Sequence, residues 1–162
     1  MKSPIHLLVG LLIVVLLAVA GLVVLVRHHY YGVSPQPSSG GPQFTYEQTG
    51  GINGTSEVWT ITGDGKVVHQ GGWDPSRQND SWTISRGQVA NLTRLFDWLD
   101  FLHMRSAPWP EDAVTEGTFY TITYTGRGLT NTATAYGGAD RFHPFWRCAD
   151  GLERELRGQP RK

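Results

Sequence analysis

From Leu7 to Val26 the chain runs for 20 residues through Leu, Ile, Val, Ala and two Gly, without one charged or hydrogen-bonding side chain. At about 1.5 Å per residue this is roughly 30 Å of helix, the thickness of a bilayer's hydrocarbon core. A stretch apolar on every side has no polar face to turn to water. The expectation is a transmembrane helix, with residues 1–26 forming an uncleaved signal anchor and the lipid bilayer as its partner. Ala18-Val19-Ala20 has the small-x-small form of a signal-peptidase site. Cleavage there would leave Gly21 to Val26 as an apolar new terminus, and the run exceeds an ordinary signal core, so the anchor is preferred. Flanking charge nearly cancels, with Met1 and Lys2 before the helix and Arg27, His28 and His29 after it. An early apolar segment of this kind resembles an export signal. That puts the amino terminus in the cytoplasm and everything after the helix on the extracytoplasmic, periplasmic side of the membrane.

Residues 27–43 change character, passing from Tyr30 and Tyr31 into Gly32-Val33-Ser34-Pro35-Gln36-Pro37-Ser38-Ser39-Gly40-Gly41-Pro42. The Tyr pair suits the membrane-water boundary, where a ring sits among headgroups with its hydroxyl wet. The rest reads as a flexible Pro/Gly/Ser-rich linker of about 23 Å mean reach. The whole chain balances 14 Lys+Arg against 14 Asp+Glu. Neutrality argues against a nucleic-acid partner, which calls for a basic excess to displace counterions from phosphates, and none is expected. The single cysteine, Cys148, rules out an intramolecular disulfide framework and a thiolate zinc cage.

Residues 44–162 are long enough for one core, and all six Trp fall within them. Phe44 to Glu47 alternates as a strand does, and two β-rich runs, Glu57 to Thr62 and Lys66 to Gln70, flank Gly63-Asp64-Gly65 as a hairpin. Ser81 to Ile84 follows as a short strand after a loop over Gly71 to Asp80. Ser85-Arg86-Gly87-Gln88 matches a capping box, with Ile84 and Val89 placed as a staple. Val89, Leu92, Leu95, Phe96, Leu99 and Leu102 then recur at three and four, predicting an amphipathic helix of about 18 residues. Thr118 to Thr125 and Leu129 to Tyr136 form a second hairpin around Gly126-Arg127-Gly128. A closing helix begins at Pro144, with Phe145, Cys148, Ala149, Leu152 and Leu156 on one stripe and Gly158 as its stop. The fold class is α+β: an antiparallel sheet with two helices packed on one face, behind the transmembrane helix and linker.

Thr49-Gly50-Gly51-Ile52-Asn53-Gly54, followed by Trp59-Thr60-Ile61 and the turn Gly63-Asp64-Gly65-Lys66-Val67, resembles the emfourin-like group of small α+β domains, as do Phe119-Tyr120-Thr121-Ile122 and the terminal helix. The resemblance covers residues 44–158 and implies an inhibitor of thermolysin-like (protealysin-type) metallopeptidases. The anchor, the segment 71–80 and Pro108-Trp109-Pro110 are additions to that pattern.

Chemistry has little to seize on. Asp74, Ser76, Gln78 and Asp80 are spaced by two like oxygen ligands of a calcium loop, but Asn79 and Ser85 stand where a glycine and a bidentate acid are needed. The six His share no ligand spacing beyond the adjacent pair His28-His29, and Cys148 lies on an apolar stripe as a structural thiol. No nucleophile elbow, phosphate loop, zinc helix or dinucleotide fingerprint is present. The expectation is a non-enzyme without cofactor or metal. Gly50, Gly51, Ile52, Trp73 and Trp109, loop residues whose size or freedom the core does not need, are the candidate partner contacts. The primary reading is an accessory subunit docking on a protein partner in a larger membrane complex. The alternative, carried by the resemblance, is a membrane-tethered inhibitor with a peptidase as its partner.

Overall fold

The computed structural model describes residues 4–50, 54–72, 80–110 and 117–157, with side chains from residue 8 onward. The apolar run lies in α1, Pro4–Tyr30, long and apolar enough over Leu8–Tyr30 to cross a membrane. Among the described residues seven strands follow: β1 (Gln36–Pro37), β2 (Gln43–Gly50), β3 (Thr55–Thr62), β4 (Lys66–Gly71), β5 (Ser81–Thr83), β6 (Thr118–Gly126) and β7 (Leu129–Tyr136). Helix α2, Arg86–Trp98, separates β5 from β6, and α3, Phe145–Arg157, closes the chain. The strands form one antiparallel sheet in the order β1-β7-β6-β2-β3-β4-β5. Its two outermost strands have only two and three residues.

Strand alternation sends one set of side chains inward. Phe44, Tyr46, Ile61, Val67, Ile122, Tyr124, Ala133 and Ala135 are buried under α2 and α3, and Phe44 stacks on Tyr124 with ring centroids 5.0 Å apart while Phe96 of α2 meets both. The capping box forms as expected: the Ser85 hydroxyl accepts from the Gln88 amide and the Gln88 side chain accepts from the Ser85 amide. Ile84 and Val89 are both buried beside it. At the second hairpin Arg127 and Gly128 take φ of 54° and 72°, the left-handed pair that suits a tight turn between twisted strands.

Two expectations change. The helical stripe does not continue to Leu102: α2 stops at Trp98, Asp100 turns left-handed at φ 50°, and Phe101–His103 makes a 3-10 turn. Asp100 tolerates that conformation because its short side chain bonds locally, here to His103 Nδ1 at 2.7 Å. The break turns Phe101 and Leu102 into the core, and the buried Asn131 side chain donates to the Phe101 and Met104 carbonyls at 2.8 and 2.9 Å. The second change concerns residues 27–43, expected as a loose linker. The helix extends through Tyr30, Tyr31 bridges Met104, the Gly32 and Val33 amides donate to the His103 carbonyl, and β1 pairs with β7 at Thr130 and Leu129. Backbone hydrogen bonds fasten this segment, and they need no apolar side chains.

Candidate functional site

The sheet has two unlike ends. Tight turns at 63–65 and 126–128 close one, whereas the longer connections 50–55, 71–81 and 104–118 leave from the other. At this second end β2 and β3 meet the last turns of α3 around a cleft of about 280 Å³. Its walls include Tyr46, Glu57, Trp59, Glu153 and Arg157.

The wall is built by register. Trp59 lies opposite both Tyr46 and His69, so three rings stand in a row across β2, β3 and β4. Trp59 stacks on His69 at 4.8 Å and 9°, and on Tyr46 at 5.6 Å and 26°. The row continues from Tyr46 to Tyr120 at 6.2 Å, and Tyr120 meets Trp146 of α3 edge-on. Trp59, His69 and Tyr120 are only half-buried, so this is a ring surface at the rim of the core rather than its interior.

Polar groups border the rings. The Tyr46 hydroxyl donates to Glu153 Oε1 at 2.8 Å, and Arg157 donates to the other oxygen of the same carboxylate. Burial first, and the Glu153 carboxylate second, push the Tyr46 hydroxyl well above its ordinary range, so it stays protonated as a donor. Burial and then Glu153 raise Tyr120 in the same direction. Glu57 Oε2 lies 3.9 Å from His69 Nε2, beyond hydrogen-bond reach, and that nitrogen is buried without a partner. Chemically the arrangement offers ring edges, since the faces of Tyr46 and Trp59 are covered by their neighbours in the row, together with two carboxylates and a guanidinium. It suits a partner's aromatic or polar side chain, through edge-on ring contact and charge-assisted hydrogen bonds. Among the described residues no three His, Cys, Asp or Glu side chains gather as metal ligands would. Cys148 is fully buried, and burial raises its thiol far above the range of a reactive thiolate.

Gly51, Ile52 and Trp73 lie outside the described residues, as do 74–79 of the calcium-like spacing. The two remaining candidates meet through one ring. Trp109, 60% exposed, packs on Phe119 at 5.0 Å and on Tyr136 at 5.3 Å, and a Cβ on Gly50 would lie 3.6 Å from Phe119. Trp109 packs on the face of the sheet opposite the cleft, at the end where β2 finishes with Gly50. The glycine at position 50 is required by the sheet itself, since its φ is 101° and a Cβ would stand 2.4 Å from the Gly117 carbonyl oxygen. The cleft residues themselves escaped the sequence reading. The pair Trp59 and His69 was within reach, being symmetric about the turn at Asp64. Tyr46 and Glu153 were not, since 107 positions separate them. No protein-family model matches this chain, and no curated protein matches it either.

Proposed function

We propose that this chain is a single-pass membrane protein whose exported domain is a non-enzymatic binding module, an accessory subunit that docks on a larger membrane complex. The observation that carries the reading is the exposure of α1. From Leu8 to Val26 its large apolar side chains are 44% to 69% exposed, and the core of the domain closes without them. Such a surface is stable only in lipid or against other apolar helices. Docking is supported by the ring-lined cleft, because Trp, Tyr and Arg dominate the energetics of protein interfaces. A volume of about 280 Å³ falls just below the usual range for small-molecule pockets and holds one or two side chains of a partner's loop.

The test begins with full-length protein extracted from native membranes in a mild detergent. A companion protein at fixed stoichiometry, reduced several-fold by Trp59→Ala, is the expected result. A monomer without companion overturns docking and leaves the anchor standing. The emfourin-like resemblance supplies a second reading, inhibition of a thermolysin-like metallopeptidase. One observation favours it: Gly50 and Gly54, on either side of residues 51–53, both take left-handed φ, at 101° and 59°, at the same sheet end. Slow-off inhibition of such a peptidase by the detergent-solubilised full chain would establish it, and unimpaired peptide cleavage at saturating protein would dismiss it.

A further inference from the structure

We propose that the turn at residues 140–143, with Phe142 at its tip, is a second membrane contact, seated among lipid headgroups beside the exit of α1. This rests on the reading of α1 as a bilayer span. Three observations meet there.

The first is position. Side chains of a helix lean toward its amino terminus, so the ring of Tyr30, the last residue of α1, lies over the turn that contains Arg27. That ring meets His143 edge-on at 4.9 Å and His29 at 4.8 Å, and its hydroxyl donates to Asp140 Oδ2 at 3.1 Å. The 140–143 turn is therefore held alongside the final turn of the helix. With the apolar run 7–26 spanning the hydrocarbon, Arg27 to Tyr30 extends roughly 6 Å further, into the headgroup layer.

Rigidity is the second. The Tyr31 amide donates to the Arg27 carbonyl at 3.0 Å, and the Arg105 amide to the Tyr30 carbonyl at 2.9 Å, while Tyr31 bridges Met104. No free hinge separates helix from domain here, so the turn keeps its height relative to the membrane.

The third is composition. Phe142 is 91% exposed, the most among the large apolar side chains of the described residues, those of α1 from Leu8 onward included. Its backbone is nonetheless fixed: the Phe142 amide donates to Asp140 Oδ1 at 2.9 Å, and the next residue, His143, is buried. Arg141 beside it, Arg27 in the helix and Arg105 over Gly32 are exposed cations near the same exit. The Asp140 carboxylate is occupied by the Tyr30 hydroxyl and the Phe142 amide. An apolar ring on a fixed turn, rimmed by arginines, is the chemistry that recognises a phospholipid surface.

The test uses the full chain in vesicles of equal parts phosphatidylcholine and phosphatidylglycerol, spin-labelled in turn at Phe142→Cys, Leu16→Cys and Lys66→Cys. The native Cys148 is fully buried and takes no label. Collision with oxygen relative to a water-soluble nickel chelate reports depth. The expected order is a deep label at 16, a headgroup-level label at 142 with a several-fold higher oxygen-to-nickel ratio than at 66, and an aqueous label at 66. A deep label at 16 with 142 as nickel-accessible as 66 overturns this proposal alone. An aqueous label at 16 removes the span, and the headgroup contact with it.

Discussion

Along β6 the side chains of Tyr120, Ile122 and Tyr124 turn toward the helices, while Thr121, Thr123 and Thr125, alternating with them, stand on the other face. The same division runs across the sheet. On the open face Thr132, Thr123, Thr45 and Thr60 line up through four neighbouring strands, and Thr123 and Thr132 exchange a hydroxyl hydrogen bond of 2.8 Å, as do Thr125 and Thr130 at 2.7 Å. Threonine has the branching that favours a strand and a hydroxyl that spares water an apolar patch. One face therefore stores packing energy, and the other satisfies the strand without storing much. The division blurs at one sheet end, where rings emerge on both faces.

The comparison is broken most severely from the helix side. Phe44 is fully buried between Tyr124 and Phe96, so Phe44→Ala should cost about 3–5 kcal/mol, measured as a shift in the denaturant midpoint of the detergent-solubilised protein. A loss below about 1 kcal/mol would mean that the aromatic stack does not hold the two layers together. Gly71→Ala comes next. At φ 88°, with a Cβ placed 2.0 Å from the Ser56 carbonyl oxygen, it forces β4 away from β3 beside the cleft. The expected loss is about 1–3 kcal/mol, with altered Trp59 fluorescence as the local signature.

A smaller effect, and one set by pH, tests the polar exception on the packed side. His143 is buried, and its Nδ1 accepts the Phe145 amide at 3.2 Å at the start of α3, so the ring must be neutral there. Burial lowers its pKa below the ordinary 6.5, against a weaker upward pull from Asp140. The unfolded chain therefore binds this proton more readily than the folded one. The stabilising contribution is complete above about pH 6.5 and is lost as pH falls through the lower folded value, by about 1.4 kcal/mol for each unit separating the two. Denaturation midpoints at about pH 7.5 and about pH 5 should diverge in the wild type and converge in His143→Gln, whose amide oxygen can accept without titrating. Equal pH dependence in both would assign the effect to other groups.

These assignments also mark what was legible beforehand. Strands, hairpin turns and the Ser85 cap could be read because each is a local pattern of alternation, left-handed turn residues or short-range hydrogen bonding. The end of α2 was hidden by its own periodicity: Leu99 and Leu102 keep the helical spacing, yet Leu102 reaches the core through a 3-10 turn after Asp100 reverses the chain. The fastening of residues 31–38 was invisible because it relies on main-chain pairing, which leaves no mark in side-chain composition. The cleft was mostly hidden for a third reason. Tyr46, Trp59 and Glu153 share no local motif, and only the stacking of β2 on β3 beneath α3 brings them together.

The smallest expected effect sharpens the comparison most. Thr123→Val keeps the branching and nearly the volume of the side chain, and removes only the hydroxyl paired with Thr132. If the face is open to water, the orphaned Thr132 hydroxyl rehydrates and stability changes by less than about 0.5 kcal/mol. A double-mutant cycle with Thr132→Val should then return a coupling of about 0.2–1 kcal/mol, the scale of a cross-strand pair in solvent. A loss of about 1–3 kcal/mol would mean that the threonine row is covered in the native assembly, since that is the cost of leaving a desolvated hydroxyl pair half-made. Repeating the cycle with and without any companion protein from native membranes separates the cases. An effect that grows only in the assembly would place the docking surface on the threonine face and away from the ring-lined cleft.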